Sequence, residues 1–264
     1  MVQSLVSGSN DPLLRVEGLT IRFGGIVALN QISFGVRKGQ ICGLIGPNGA
    51  GKTTLFNCLS RIYEPIAGTI YFQGANLLKM SAHRTAKLGI GRTFQNLALF
   101  RGLSVWDNIL IGTHSTLRSG FLSDVLRLRY VKREERLAAR KVRELIDFLG
   151  LDTVRDNIVG LLPFGTQKRV ELARALASNP DLLLLDEPAG GLNHEEVDEL
   201  RSLIISLRDQ FGITILLVEH HLNLVMRVSD NVVALDFGKK IADGAPSEVQ
   251  VSPDVIRAYL GSTQ

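Results

Sequence analysis

The stretch GPNGAGKTT, Gly46 to Thr54, puts three glycines, a lysine and two threonines directly after the apolar run ICGLI, Ile41 to Ile45. A buried strand end normally carries bulk, so glycine there needs a reason. Successive backbone N–H groups can turn inward into a concave anion nest only where no side chain blocks the approach. The spacing G-x-x-x-x-G-K-[ST] is met in full by Gly46, Gly51, Lys52 and Thr53, after a strand and before the helical run TTLFNCLSRI. Strand, loop and helix N-terminus then point at one phosphate chain. Gly46, Pro47, Asn48, Gly49, Ala50, Gly51, Lys52, Thr53 and Thr54 would wrap it, Lys52 reaching the terminal phosphates and Thr53 a magnesium ion. Exposed amides and the helix macrodipole would hold the negative charge.

A second signal is LLLLDEP, Leu182 to Pro188. An apolar strand ending in Asp186 sets a carboxylate at the mouth of the sheet, where it can hold the nucleotide's Mg²⁺ directly or through water. Glu187, one residue on, is placed to act as general base toward water. Taken alone the pair could merely start a helix; beside a phosphate loop it reads as chemistry.

The runs Ile41 to Ile45, Leu182 to Leu185 and Ile213 to Val218 are apolar throughout, as strands covered on both faces are, whereas Ile32, Phe34 and Val36 alternate. Between such strands lie helical patterns. Ala138, Val142, Leu145 and Leu149 form one apolar stripe beneath a charged surface. The expected fold is α/β: a phosphate-loop NTPase with a mostly parallel core sheet, an N-terminal antiparallel β subdomain, and a helical lobe inserted at about 97–162. The expected division is a nucleotide-binding domain over 11–245 and a C-terminal helical tail over 246–264, with Ser252 as cap and Pro253 at the first helical position.

No apolar run approaches the ~18 residues of a membrane-spanning helix. The two cysteines, Cys42 and Cys58, and an N-terminus without the basic-then-apolar order of a signal peptide point to a reducing cytoplasm. The net charge of +4 is too small to announce a nucleic-acid binder. Between Arg127 and Arg143, however, eight basic residues stand against Glu134 and Glu135. That stretch reads either as a solvated helix face or as a contact for anionic headgroups or an acidic partner.

Other phosphate-loop classes lack their marks here. No Asn-Lys pair offers a guanine reader, two cysteines cannot build repair-type zinc modules, and the interval from Lys52 to Asp186 has no room for a long coiled coil. The chain resembles the ATP-binding subunits of ABC transporters over nearly its whole length. By that resemblance Phe23, in IRFGG, stacks on adenine with Val27 at its edge. Gln95, in RTFQN, is the glutamine that senses Mg²⁺ and the γ phosphate and leads to the surface docking a membrane subunit. His220, in LLVEHH, contacts the γ phosphate, and AGGLN follows the catalytic glutamate, with Asn193 where most members have Asp.

The signature segment departs from the family. Most members have Leu-Ser-Gly-Gly-Gln; here Leu162 and Gly165 match, while Pro163, Phe164 and Thr166 replace Ser, Gly and Gln. Because family cassettes dimerise head to tail, each signature closing over its partner's ATP, this one is expected to pair with a different ATPase. RFGGIVALNQISF, RTFQNLALFRGLSVWDNI, DEPAGGLN, EHHLNLVM and PDVIRAYLG together are similar to the LivG-type ATPases of branched-chain amino-acid importers. The resemblance implies ATP and Mg²⁺ as cofactors, two integral membrane permease subunits, a second ATPase, a periplasmic or extracellular substrate-binding protein, and a peripheral place on the cytoplasmic face of the membrane. Two readings compete: the ATPase of an exporter such as the lipopolysaccharide system, and a soluble ABC ATPase acting on nucleic acid through the basic stretch. No nucleic-acid partner is expected.

Overall fold

The computed structural model describes residues 11–81, 87–95, 97–115 and 129–260. Two sheets share the work. β1 (Leu14–Phe23), β2 (Ile26–Val36), β4 (Ala67–Phe72) and β5 (Ala75–Asn76) form an antiparallel sheet in the order β2-β1-β4-β5. β3 (Ile41–Ile45), β6 (Ile90–Arg92), β7 (Leu182–Asp186), β8 (Thr214–Val218), β9 (Asn231–Asp236) and β10 (Lys239–Gly244) form the second, in the order β10-β9-β3-β8-β7-β6. Every pairing in it is parallel except that of the edge strand β10.

Strand periodicity explains why β3, β7 and β8 are buried at all five positions. Ile41, Ile45, Leu183, Leu185, Ile215 and Leu217 face one core, built with the helices. Cys42, Leu44, Leu182, Leu184, Leu216 and Val218 face the other, built with the antiparallel sheet and α1 (Lys52–Leu59). Alternate side chains of one strand thus serve two layers, which is why no polar position interrupts the run.

The insert between β6 and β7 carries α2 (Val105–Gly112) and α3 (Arg129–Phe148). Among its described residues, 97–104 and 149–163 run mainly as turns and loops where the sequence pattern implies helix. The predicted stripe holds: Ala138, Val142, Leu145 and Leu149 are all buried. Of the basic stretch, Arg127 lies outside the described residues; Arg140 pairs with Glu144 at 2.9 Å on an exposed surface.

α4 (Phe164–Ala177) leads to β7, and α5 (His194–Phe211) follows it. Asn193 caps α5: its side chain accepts from the Glu196 amide at 3.0 Å while the Glu196 carboxylate accepts from the Asn193 amide at 2.9 Å. This reciprocal box gives Asn193 a structural role in place of the usual Asp. α6 (Leu222–Val228) follows β8, and α7 (Pro246–Gln250) and α8 (Pro253–Leu260) close the chain. Val249 and Val255 enter the same core as α2 and α4, so the C-terminal segment is packed against the body of the fold. Among the described residues no helix is long and apolar enough to cross a membrane.

Candidate ATP-hydrolysis site

Four neighbouring parallel strands, β3, β8, β7 and β6, deliver the predicted chemistry at their carboxyl ends. β3 releases the glycine loop, β8 leads to His220, β7 ends in Asp186 and Glu187, and β6 runs on to Gln95. Open α/β sheets bind ligands at this edge, because loops there can diverge around a crevice. One cleft is lined by Ala28, Asn48, Gly49, Ala50, Gly51, Lys52, Thr53, Thr54, Gln95 and Glu187.

The loop can wrap an anion because of where its backbone goes. Gly51 has φ 103°, and a Cβ there would come within 2.7 Å of the Ala28 carbonyl, so glycine is required twice over. No side chain caps α1, which leaves its first-turn amides for an anion. Lys52 is buried and donates to the carbonyls of Gly46 at 2.6 Å and Pro47 at 3.0 Å. Burial lowers its pKa below the ordinary lysine value, while the charges of Glu187 and Asp186 pull the other way.

Asp186 is buried and its Oδ2 accepts from Arg92 at 2.9 Å. Arg92 also donates to Asn57 Oδ1 and Ser60 Oγ, each at 2.9 Å, and lies over the rings of Phe56 and Phe94. Desolvation raises the Asp186 pKa; the Arg92 hydrogen bond and charge oppose that rise. Its other oxygen, Oδ1, is buried with no hydrogen-bond partner among the described residues. Thr53 and Gln95 line the cleft while Asp186 lies behind it, outside the lining residues; carboxylate, hydroxyl and amide oxygens are hard donors of the chemical kind a magnesium ion takes.

Glu187 has φ 49°, a strained value for a residue with a side chain, held by its amide donating to the Val218 carbonyl at 2.9 Å. Such strain persists only where the surroundings impose it. Here it separates two adjacent carboxylates, Asp186 toward Arg92 and Glu187 toward the cleft. Gln95 Nε2 donates to Glu187 Oε2 at 2.8 Å, and His220 Nδ1 lies 3.8 Å from the same oxygen. His221 lies instead beside Glu219, at 3.4 Å.

Phe23 and Val27 are not among the cleft's lining residues. Phe23 stands half-exposed at the tip of the β1–β2 hairpin, edge-on to Tyr63 with ring centroids 5.1 Å apart. The hairpin contributes Ala28 to the cleft. The signature residues also lie outside it. Pro163 precedes α4, the Leu162 carbonyl accepts from Gln167 at 2.8 Å, and Gly165 and Thr166 sit in the helix's first turn. The Phe164 ring packs over Gly191, where even a Cβ would come within 2.8 Å of it.

Several residues escaped the sequence reading. Arg92 looks like any arginine until β6 is paired with β7. Lys168, in α4, donates to the Glu187 carbonyl at 3.2 Å and crosses the Phe164 ring, tying the signature helix to the acidic pair. Glu219, fully buried, accepts from the Ala189, His220 and His221 amides and so sets the turn that carries His220. The acid before His220 was the only signal for it.

Residues 29–190 match the family model described as ABC transporter, and residues 239–263 match the one described as branched-chain amino acid ATP-binding cassette transporter. The chain is 41% identical over 250 residues to the high-affinity branched-chain amino acid transport ATP-binding protein BraF of Pseudomonas aeruginosa, covering 95% of this chain and 98% of that one. It is 42% identical over 252 residues to LivG of Salmonella typhimurium, covering 96% and 99%. Among solved structures, a nucleotide-free ATP-binding cassette from an ABC transporter superposes with a TM-score of 0.81 at 29% identity, covering 94% of this chain and 98% of that one. Another ABC transporter cassette, in its ADP conformation, superposes at 0.80 with 30% identity, covering 94% and 98%. The chain belongs to the ATP-binding cassette family of ABC transporters, as an ATPase subunit of the kind found in branched-chain amino-acid systems.

Proposed function

We propose that this chain is the ATP-hydrolysing subunit of an importer for branched-chain amino acids. It would sit peripherally on the cytoplasmic face of the membrane, with two permease subunits, a second and different ATPase, and a substrate-binding protein outside. The observation that carries the reading is the convergence, in one cleft, of the loop with Lys52 and of Glu187 held by Gln95. The relatives' high-affinity branched-chain amino acid transport supports the substrate class.

In this reading the loop amides and Lys52 hold the phosphates, and Phe23, with Val27 beside it, takes the adenine. Thr53, Asp186 and Gln95 would hold magnesium, which neutralises phosphate charge when bound. Glu187 takes a proton from the attacking water, and His220 and Lys52 stabilise the γ phosphate. Because Gln95 now occupies Glu187 Oε2, its withdrawal is what opens that oxygen to water. Gln95 continues β6, so any displacement of that segment by a membrane subunit reaches the base directly.

The signature supports the proposal of a second, different ATPase. Pro163 offers neither N–H nor hydroxyl, and Phe164 stands where the family's glycine admits close backbone approach. A homodimer would carry that defect at both sites, whereas a heterodimer lets an intact partner signature close over this chain's loop.

Purified alone, the chain is expected to bind ATP and hydrolyse it slowly. Co-expressed with the neighbouring ATPase and permease genes, it should show ATP turnover that rises with leucine-loaded binding protein in proteoliposomes. Full turnover by the chain alone would refute the heterodimer, and indifference to every branched-chain amino acid would refute the substrate class.

A further inference from the structure

The first glycine of the phosphate loop is gripped from the far end of the chain. The Gly46 N–H donates to the Tyr259 hydroxyl at 2.8 Å, a contact spanning 213 residues. The packing of α8 holds that hydroxyl in place. Val255 is buried in the core, and Tyr259 itself packs against that core with its phenol pKa pushed up by burial.

Gly46 has little room to compensate for a lost partner. Its φ is 151°, and a Cβ would collide with the Leu235 carbonyl at the end of β9 and press on Ala50 at 3.0 Å. The residue is therefore wedged between β9 and the loop, with its amide turned to Tyr259. Its carbonyl, one residue's width away, accepts from Lys52 Nζ. Tyr259 and Lys52 thus hold opposite ends of a single residue.

We propose that Tyr259 is a positioning residue for nucleotide binding, its hydroxyl setting the Gly46 backbone and through it the resting place of the Lys52 ammonium. The C-terminal helix is then a working part of the phosphate site. This rests on the loop being the ATP site, and it adds a residue outside every motif that defines that site.

Tyr259→Phe keeps the ring and removes only the hydroxyl. In the full chain, amide exchange at Gly46 should speed up, and the dissociation constant for a fluorescent ADP analogue should rise roughly three- to tenfold, the scale of one hydrogen bond. The melting temperature should fall by only about 2–4 °C, the cost of one hydrogen bond with no core surface lost. Val255→Ala, which loosens the helix but keeps the hydroxyl, is the structural control, with a lower melting temperature. Unaltered nucleotide affinity in Tyr259→Phe would overturn the proposal, as would a loss of affinity that merely tracks melting temperature across both variants. A wild-type chain that bound no nucleotide would sink the ATPase reading instead, and Gly46 exchange would still decide whether the hydroxyl holds the loop.

Discussion

The phosphate loop and the signature segment both sit beside a helix N-terminus, yet they differ in what that terminus is left to do. At α1 no side chain caps the helix, glycine backbone fills the turn, and buried Lys52 waits on two carbonyls. At α4 no side chain caps the helix either, but a proline opens it, and an aromatic ring lies across Gly191 with the Lys168 ammonium also over it. The first arrangement keeps donors available for an anion. The second uses its side chains to hold the loop after Glu187 in place. In the proposed reading, one polypeptide then offers a phosphate-binding loop on one side and a signature segment engaged in packing on the other.

That division can be broken most forcefully at Glu187. Glu187→Gln is expected to lower turnover by roughly 10²–10⁴ while nucleotide still binds, since only proton transfer is removed. Near-wild-type phosphate release would show that the cleft's carboxylate is not the base. Lys52→Ala should weaken nucleotide affinity by roughly 10- to 100-fold, the size of a lost hydrogen bond to a charged group, and a fluorescent-nucleotide titration measures it directly. Unchanged affinity would move the phosphates elsewhere.

Phe164→Ala probes the other half and should do least. Its ring is only half-buried, so a loss of about 1 kcal/mol is expected, seen as a melting temperature lower by roughly 2–4 °C in a chain of this size. Nucleotide affinity of the isolated chain should not change. A shift in that affinity would join the two halves into one unit and sharpen the question of what Lys168 transmits.

Much of this was written in local spacing. The loop, the strand ending in Asp186 and the two-faced apolar runs depend on residues within a dozen positions of each other, and nearest-neighbour chemistry sets their form. Less was legible where partners are far apart in the chain. Arg92 meets Asp186 across 94 residues, and nothing in GRTFQ announces a buried guanidinium. The stretch before α2 forms a turn where the pattern implied helix, and Asn108, fully buried, fixes that turn by bonding the Phe100 amide and the Phe100 and Ser104 carbonyls.

Residue order alone settled that a glycine-lined cradle follows a buried strand, that a carboxylate pair ends another, and that the two belong to one α/β sheet. It could do so because strand periodicity and turn chemistry act over short range. Folding in three dimensions settled which atoms meet: Gln95 on Glu187, Arg92 on Asp186 and Tyr259 on Gly46. Those contacts follow from the order of parallel strands and the docking of the last helix, which are products of long-range packing and leave no mark in any single window of the chain.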